Sequence, residues 1–237
     1  MESSERRDRG AEASMVQAIT VREFYEAVPG NDWHRAYGGA TAYFVSGSFA
    51  KGLQLVNAIG ALADAANHHP DIDLRYGAVV VRLRTHEVQG LSERDTALAV
   101  QISDAARELG IRSEPAQIHT VQIAIDALDI SEVLPFWEAV LAYERRGDDD
   151  LVDPRRLGPS VWFQQMDAPR PQRNRIHIDL ALPRSQVEGR IAAALAAGGH
   201  VANDAFAPHW WTLADSEGNE IDLAPWVDDT DWEDDEG

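Results

Sequence analysis

Asn67-His68-His69-Pro70-Asp71, Thr85-His86-Glu87 and Gly90-Leu91-Ser92-Glu93-Arg94-Asp95 lie between positions 67 and 95 and hold three of the chain's eight histidines. The order of signals in this stretch predicts its local structure. A histidine pair and a proline close an apolar-periodic segment, so the pair belongs to a helix exit. Val79, Val81 and Leu83 then alternate in the manner of a strand, which the spacing predicts over 74–85. On an unbroken strand His86 shares the face of Tyr76, Ala78 and Val80, away from the helix-packed side. Ser92 followed by Asp95 has the spacing of a capping box, so a second helix opens there and stops at Gly110. Helix, strand, helix in this order makes the first half α+β.

Working outward, Ser48 caps the helix before the pair, and Phe49, Leu53, Val56, Ile59 and Ala63 are its expected apolar face. Val21 to Val28 reads as a short amphipathic helix, and Trp33 to Val45 as a hairpin about Gly38-Gly39. The second helix carries Leu98, Ile102, Ala105 and Leu109. The expected organisation is a leader over 1–16, a first domain over 17–112, a linker over 113–118, a second domain over 119–227 and an acidic tail over 228–237. Beyond the linker one pattern runs twice: strand 120–126, helix 131–143, strand 160–166, then strand 175–181, helix 186–197 and a hairpin of 210–214 with 220–224.

Composition narrows the function. A formal charge of -19 over 237 residues opposes binding to a nucleic-acid backbone. Seven acidic residues lie in the tail after Val227, which reads as a solubilising end. With no cysteine there is no disulfide, thiolate nucleophile or cysteine metal site. No apolar run reaches the roughly 20 residues of a membrane span, and the leader lacks a signal-peptide core, so a soluble cytoplasmic protein is expected. Tyr76, Ala78 and Val80 leave one sheet face apolar, which predicts a homo-oligomer.

Histidine titrates near neutrality, so the three histidines are suited to acid–base chemistry. Zinc is not expected among them, because adjacent side chains such as His68 and His69 do not converge on one ion without a backbone turn. The quoted motifs, with Tyr76 and the upstream aromatics Trp33 and Phe49, resemble the signature of the pterin-4a-carbinolamine dehydratase family over about residues 17 to 110. The resemblance implies an antiparallel sheet with helices on one face, a pterin substrate, and dimers or tetramers. The implied reaction removes water from 4a-hydroxytetrahydrobiopterin to give quinonoid dihydrobiopterin in pterin recycling, with no metal or organic cofactor. His68 and His86 are then the general acid and base, His69 holds and polarises the pterin, and Trp33 and Asp95 bind substrate. Two alternatives stand beside these roles: Asp95 as the capping partner of Ser92, and Trp33 as a packing residue. The sequence departs from some relatives at Asn67, where they have an acidic residue, and at Val88, where they have cysteine.

The second half, with its Phe136-Trp137 helix and Asp215-Ser216-Glu217-Gly218-Asn219-Glu220 turn, resembles a glyoxalase-like domain of the vicinal-oxygen-chelate superfamily, which implies paired βαβββ modules. That superfamily often holds a divalent metal on two histidines and two carboxylates. His177 and Asp222 match one position of each type, Asp179 is placed to orient the His177 ring, and Thr120 (beside His119) with Gln164 or Gln165 stand for the other two. A hydroxyl and an amide are poor substitutes, so no metal ligand is assigned. Other functions consistent with the resemblance are a non-catalytic partner that stabilises dimers of another protein, and a metal-dependent lyase or dioxygenase carried by the second half.

Overall fold

The computed structural model describes residues 16–36, 39–169, 177–182 and 184–225. The leader up to residue 15, Gly38 of the first hairpin, residues 175–176 of an expected strand and the acidic tail lie outside them. The protein is α+β, and its compact units divide between Thr120 and Val121.

The first unit runs β1 (Ala18–Ile19), α1 (Val21–Ala27), β2 (Trp33–Ala36), β3 (Gly39–Val45), α2 (Phe49–Ala66), β4 (Asp71–Leu74), β5 (Ala78–Leu83), β6 (Leu91–Ser92), α3 (Glu93–Glu108) and β7 (Arg112–Ser113). The antiparallel sheet has the order β2-β3-β5-β4, with β7 also on β3, and β1 pairs β6 separately. Ala40, Ala42 and Phe44 lie opposite Leu83, Val81 and Val79. All six are buried, in one core with Leu55 and Ile59 of α2 and Leu98 and Ile102 of α3. Removing each large side chain of this kind from water contributes about 1.5–3 kcal/mol.

Three expectations are corrected here. The strand predicted over 74–85 is a hairpin, β4 and β5, turning at Arg75-Tyr76-Gly77, and β5 stops at Leu83. Tyr76 is therefore an exposed turn residue, while Ala78 is buried, so the expected apolar trio does not share a strand face. The buried face of α2 is Gly52, Leu55, Ile59 and Ala63, whereas Phe49 and Leu53 are exposed. Apolar residues cover nearly half of this helix's circumference, so their spacing alone leaves its rotation open. Gly52 decides it: a Cβ there would stand 2.7 Å from Leu74 Cδ1, so the glycine is where the helix meets the sheet. Finally, Ser113 and Glu114, expected to begin the linker, are bound to β3, the first by strand pairing with Phe44 and the second through its N–H to Tyr43 O.

The second unit repeats one plan. Its first module is β8 (Gln122–Ala127), α4 (Ile130–Leu141), β9 (Glu144–Arg146), β10 (Asp150–Val152) and β11 (Ser160–Gln165). Its second is β12 (Ile178–Ala181), α5 (Arg184–Ala196), β13 (His200–Asn203), β14 (Trp211–Ala214) and β15 (Glu220–Ala224). Both sheets have the order first, fourth, third, second, with the first and fourth strands parallel. Both modules are thus βαβββ. Periodicity missed β9, β10 and β13, which are three or four residues long and, for β13, exposed throughout.

The Glu-Gly-Asn turn has a structural role. Asp215, fully buried, accepts the N–H groups of Glu217 and Asn219 on Oδ1 and those of Trp137 Nε1 and Asn219 Nδ2 on Oδ2. Asp153 ties the matching turn of the first module through the N–H groups of Arg155, Leu157 and Gly158. Burial pushes the Asp153 carboxyl up, but these donors together outweigh it and hold it below the usual range. Asp215→Ala leaves the Trp137 N–H and the turn amides without an acceptor. It is expected to destabilise the second unit by about 2–4 kcal/mol, read from urea unfolding with amide exchange of β14 and β15.

Candidate functional site

The histidines are placed by a helix end and a helix start. At the end of α2, Asn67 adopts the left-handed conformation, with φ 47°, and the His68 N–H returns to Ala63 O. Side chains of consecutive residues in the chain leaving this turn point to opposite sides. His68 turns inward and is 7% exposed. His69 turns outward, its Nε2 lying 2.9 Å from Asp64 Oδ1 on the helix just completed.

At the start of α3 the capping box forms as spaced: Ser92 N–H donates to Asp95 Oδ2 at 2.7 Å, and Ser92 Oγ accepts from Arg94 N–H at 3.2 Å. The same carboxylate does more than cap. Its Oδ1 meets His68 Nε2 at 2.7 Å, and its Oδ2 accepts the Thr85 hydroxyl at 2.6 Å. Thr85, Ser92 and Asp95 are buried. Thr85 and Gly90 exchange backbone hydrogen bonds at 2.9 and 3.3 Å and close the turn on which His86 stands exposed. His86 follows that turn and not a strand parity, which corrects the expected geometry. Asp95 therefore joins the exit of α2, the turn that carries His86 and the first turn of α3. Beside His86, Glu87 pairs with Arg94 at 3.0 Å. Its carboxyl is held below the usual range chiefly by its own backbone N–H, against the opposing effect of burial, with smaller help from Arg94.

Two residues expected to bind substrate are buried and already partnered. Asp95 is fully buried, and its oxygens are shared among His68, Thr85 and Ser92. Trp33 is 2% exposed, gives its indole N–H to Ser103 Oγ at 3.0 Å and meets Phe44 edge to face. It is a packing residue, because a sealed indole offers no face for stacking. Sequence reasoning gave no role to the Thr85 hydroxyl or to Asp64. The signal for Asp64 was the asparagine after the helix, whose left-handed turn brings the following residues back over the last turn.

In the second unit, His177 Nε2 lies 3.4 Å from Asp179 Oδ1 and 3.7 Å from Asp222 Oδ2. Among the described residues this is a group whose ligand atoms could share an ion. All three stand on one module, on the sheet face opposite the buried Ile221 and Leu223. Asp222 pairs with Asp179, two residues after the histidine. The same offset in the first module sets Thr120 against Ser160, Gln122 against Trp162 and Ala124 against Gln164. None of these pairs an imidazole with a carboxylate, so among the described residues the first module does not repeat the arrangement of His177, Asp179 and Asp222. That offset also removes the expected match of Thr120 with Gln164 or Gln165, which lie out of register.

Residues 17–105 match the family model Pterin 4 alpha carbinolamine dehydratase, and residues 122–224 match the model Glyoxalase-like domain. A protein of Thermomicrobium roseum with the provisional name pterin-4-alpha-carbinolamine dehydratase is 37% identical over 87 residues, which cover 37% of this chain and 91% of the relative. One of the same provisional name from Herpetosiphon aurantiacus is 37% identical over 89 residues, covering 38% of this chain and 84% of the relative. The chain belongs to the pterin-4a-carbinolamine dehydratase family.

In this dehydratase-family chain the first unit carries the family likeness and a glyoxalase-like domain follows it. Among the described residues no helix is long and apolar enough to cross a membrane. The packing role of Trp33 gives a direct check within the dehydratase unit. Trp33→Phe loses one buried hydrogen bond and some ring area, so a cost of about 1–2 kcal/mol is expected in denaturant unfolding.

Proposed function

We propose that the first unit dehydrates 4a-hydroxytetrahydrobiopterin to quinonoid dihydrobiopterin by histidine acid–base catalysis. The C4a–O bond breaks, a protonated hydroxyl leaves as water, and a ring N–H proton is lost, so the overall change is loss of one water. The observation that carries the reading is the sharing of one buried carboxylate by His68 and by Thr85, the residue before His86. An ionised Asp95 is an acceptor only, so His68 Nε2 carries the hydrogen between them and Nδ1 keeps the lone pair. His68 is thereby suited to accept the ring proton, and the exposed His86 to protonate the departing hydroxyl. His69, exposed and paired to Asp64, is suited to hold the polar edge of the pterin.

The test is turnover by the purified full chain, with the carbinolamine generated in place and its ultraviolet signal followed. Acceleration well above the uncatalysed rate supports the reading; a rate equal to that of buffer alone overturns it. The glyoxalase-like domain is proposed to bind a small ligand at the sheet face of His177, Asp179 and Asp222.

A further inference from the structure

Ser92 and Asp95 suffice to cap α3, yet a second buried hydroxyl is built into the same network. Thr85 Oγ1 lies 2.6 Å from Ser92 Oγ and 2.6 Å from Asp95 Oδ2, with Thr85 fully buried. The protons can be assigned in order. Arg94 N–H donates to Ser92 Oγ, whose own proton goes to Thr85 Oγ1 at 2.6 Å in preference to Asp95 Oδ2, which lies farther off at 3.3 Å, and the Thr85 proton goes to the charged acceptor, Asp95 Oδ2. Ser92 N–H supplies a second donor to that oxygen. Oδ2 is thus provided for, and Oδ1 is left directed at His68 Nε2.

We propose that Thr85 is a positioning residue of the dehydratase site, a role that rests on the acid–base reading above. Its hydroxyl anchors the turn that carries His86 and turns Asp95 so that His68 is held in its Nε2–H form with Nδ1 presented to the substrate. It touches neither substrate nor reacting atoms. A cap alone gives no reason for it, because the cap is complete without Thr85. A hydroxyl in this place costs the desolvation of a polar group and is retained only where its hydrogen bonds are made.

Thr85→Val keeps the shape and removes the hydroxyl; Thr85→Ser keeps the hydroxyl. On folded full-length protein the valine variant is expected to lose about tenfold or more in kcat with KM within about twofold, and serine to restore it, since the loss is one of geometry and not of binding. The second readout needs no turnover: the imidazole 15N shifts of His68, assigned by their absence in His68→Gln. A changed Nε2 shift in the valine variant, recovered in the serine variant, supports the proposal. Wild-type kcat in Thr85→Val, or His68 nitrogen shifts identical to wild type, overturns it. Thr85→Ala gives the same two readouts on a smaller side chain should valine prevent folding. A wild-type chain without turnover would remove the dehydratase reading, and the nitrogen shifts alone would then decide the role of Thr85.

Discussion

Asp95→Ala is expected to have the largest effect of any single substitution in the first unit. The carboxylate is fully buried and takes His68 Nε2–H, Ser92 N–H and the Thr85 hydroxyl. Its removal strands three buried donors at once, which puts the cost at about 3–5 kcal/mol in denaturant unfolding. Asp95→Asn separates this stability effect from catalysis. The amide oxygen is needed on the side of Ser92 and Thr85, so the NH2 group faces His68 and asks Nε2 to accept. That forces the hydrogen onto Nδ1, the nitrogen the substrate requires as a base. The asparagine variant is therefore expected to keep more of the fold than alanine yet lose about 10²–10⁴ in kcat, the size of a general-base contribution. Near wild-type kcat in Asp95→Asn would sink the assignment of Nδ1.

His68→Ala and His86→Ala are each expected to lower kcat by about 10²–10⁴-fold, and to differ in stability. His86 is exposed on the Thr85–Gly90 turn, so its removal leaves unfolding within about 0.5 kcal/mol of wild type. His68 is buried against Asp95, and its loss leaves that charge without its Oδ1 partner, a cost of about 2–4 kcal/mol. Equal rates for either variant and wild type, measured on folded protein, would refute its role. His69→Ala removes an exposed ring paired with an exposed carboxylate, so its effect is expected in KM more than in stability.

Much of the first site is legible locally. Ser92 and Asp95 stand three apart before an apolar-periodic run, and the capping box forms as that spacing predicts. Ser48 likewise caps α2. The errors share a cause. Alternation over 74–85 does not reveal a turn whose residues are compatible with a strand, so the hairpin at Tyr76 is not legible in it. A wide apolar arc does not say which part of a helix meets a sheet, so spacing alone does not show that Phe49 and Leu53 face outward. Asp95 and Trp33 match positions of a family motif, but a motif does not distinguish a side chain facing a ligand from one that supports its neighbour.

The sequence by itself determined the helices, their caps and most of the strands, because these depend on residues a few positions apart and on periodicity, and its motifs carried the family resemblance. Only the tertiary structure decided that one carboxylate serves His68, Thr85 and the α3 cap together, that Trp33 is sealed against Ser103, and that His177, Asp179 and Asp222 come together on one sheet face. Each of these depends on strand register, on helix rotation or on burial. Those are set by the packing of distant segments, where a shift of one residue or a partial turn of a helix redirects a side chain without altering any local signal.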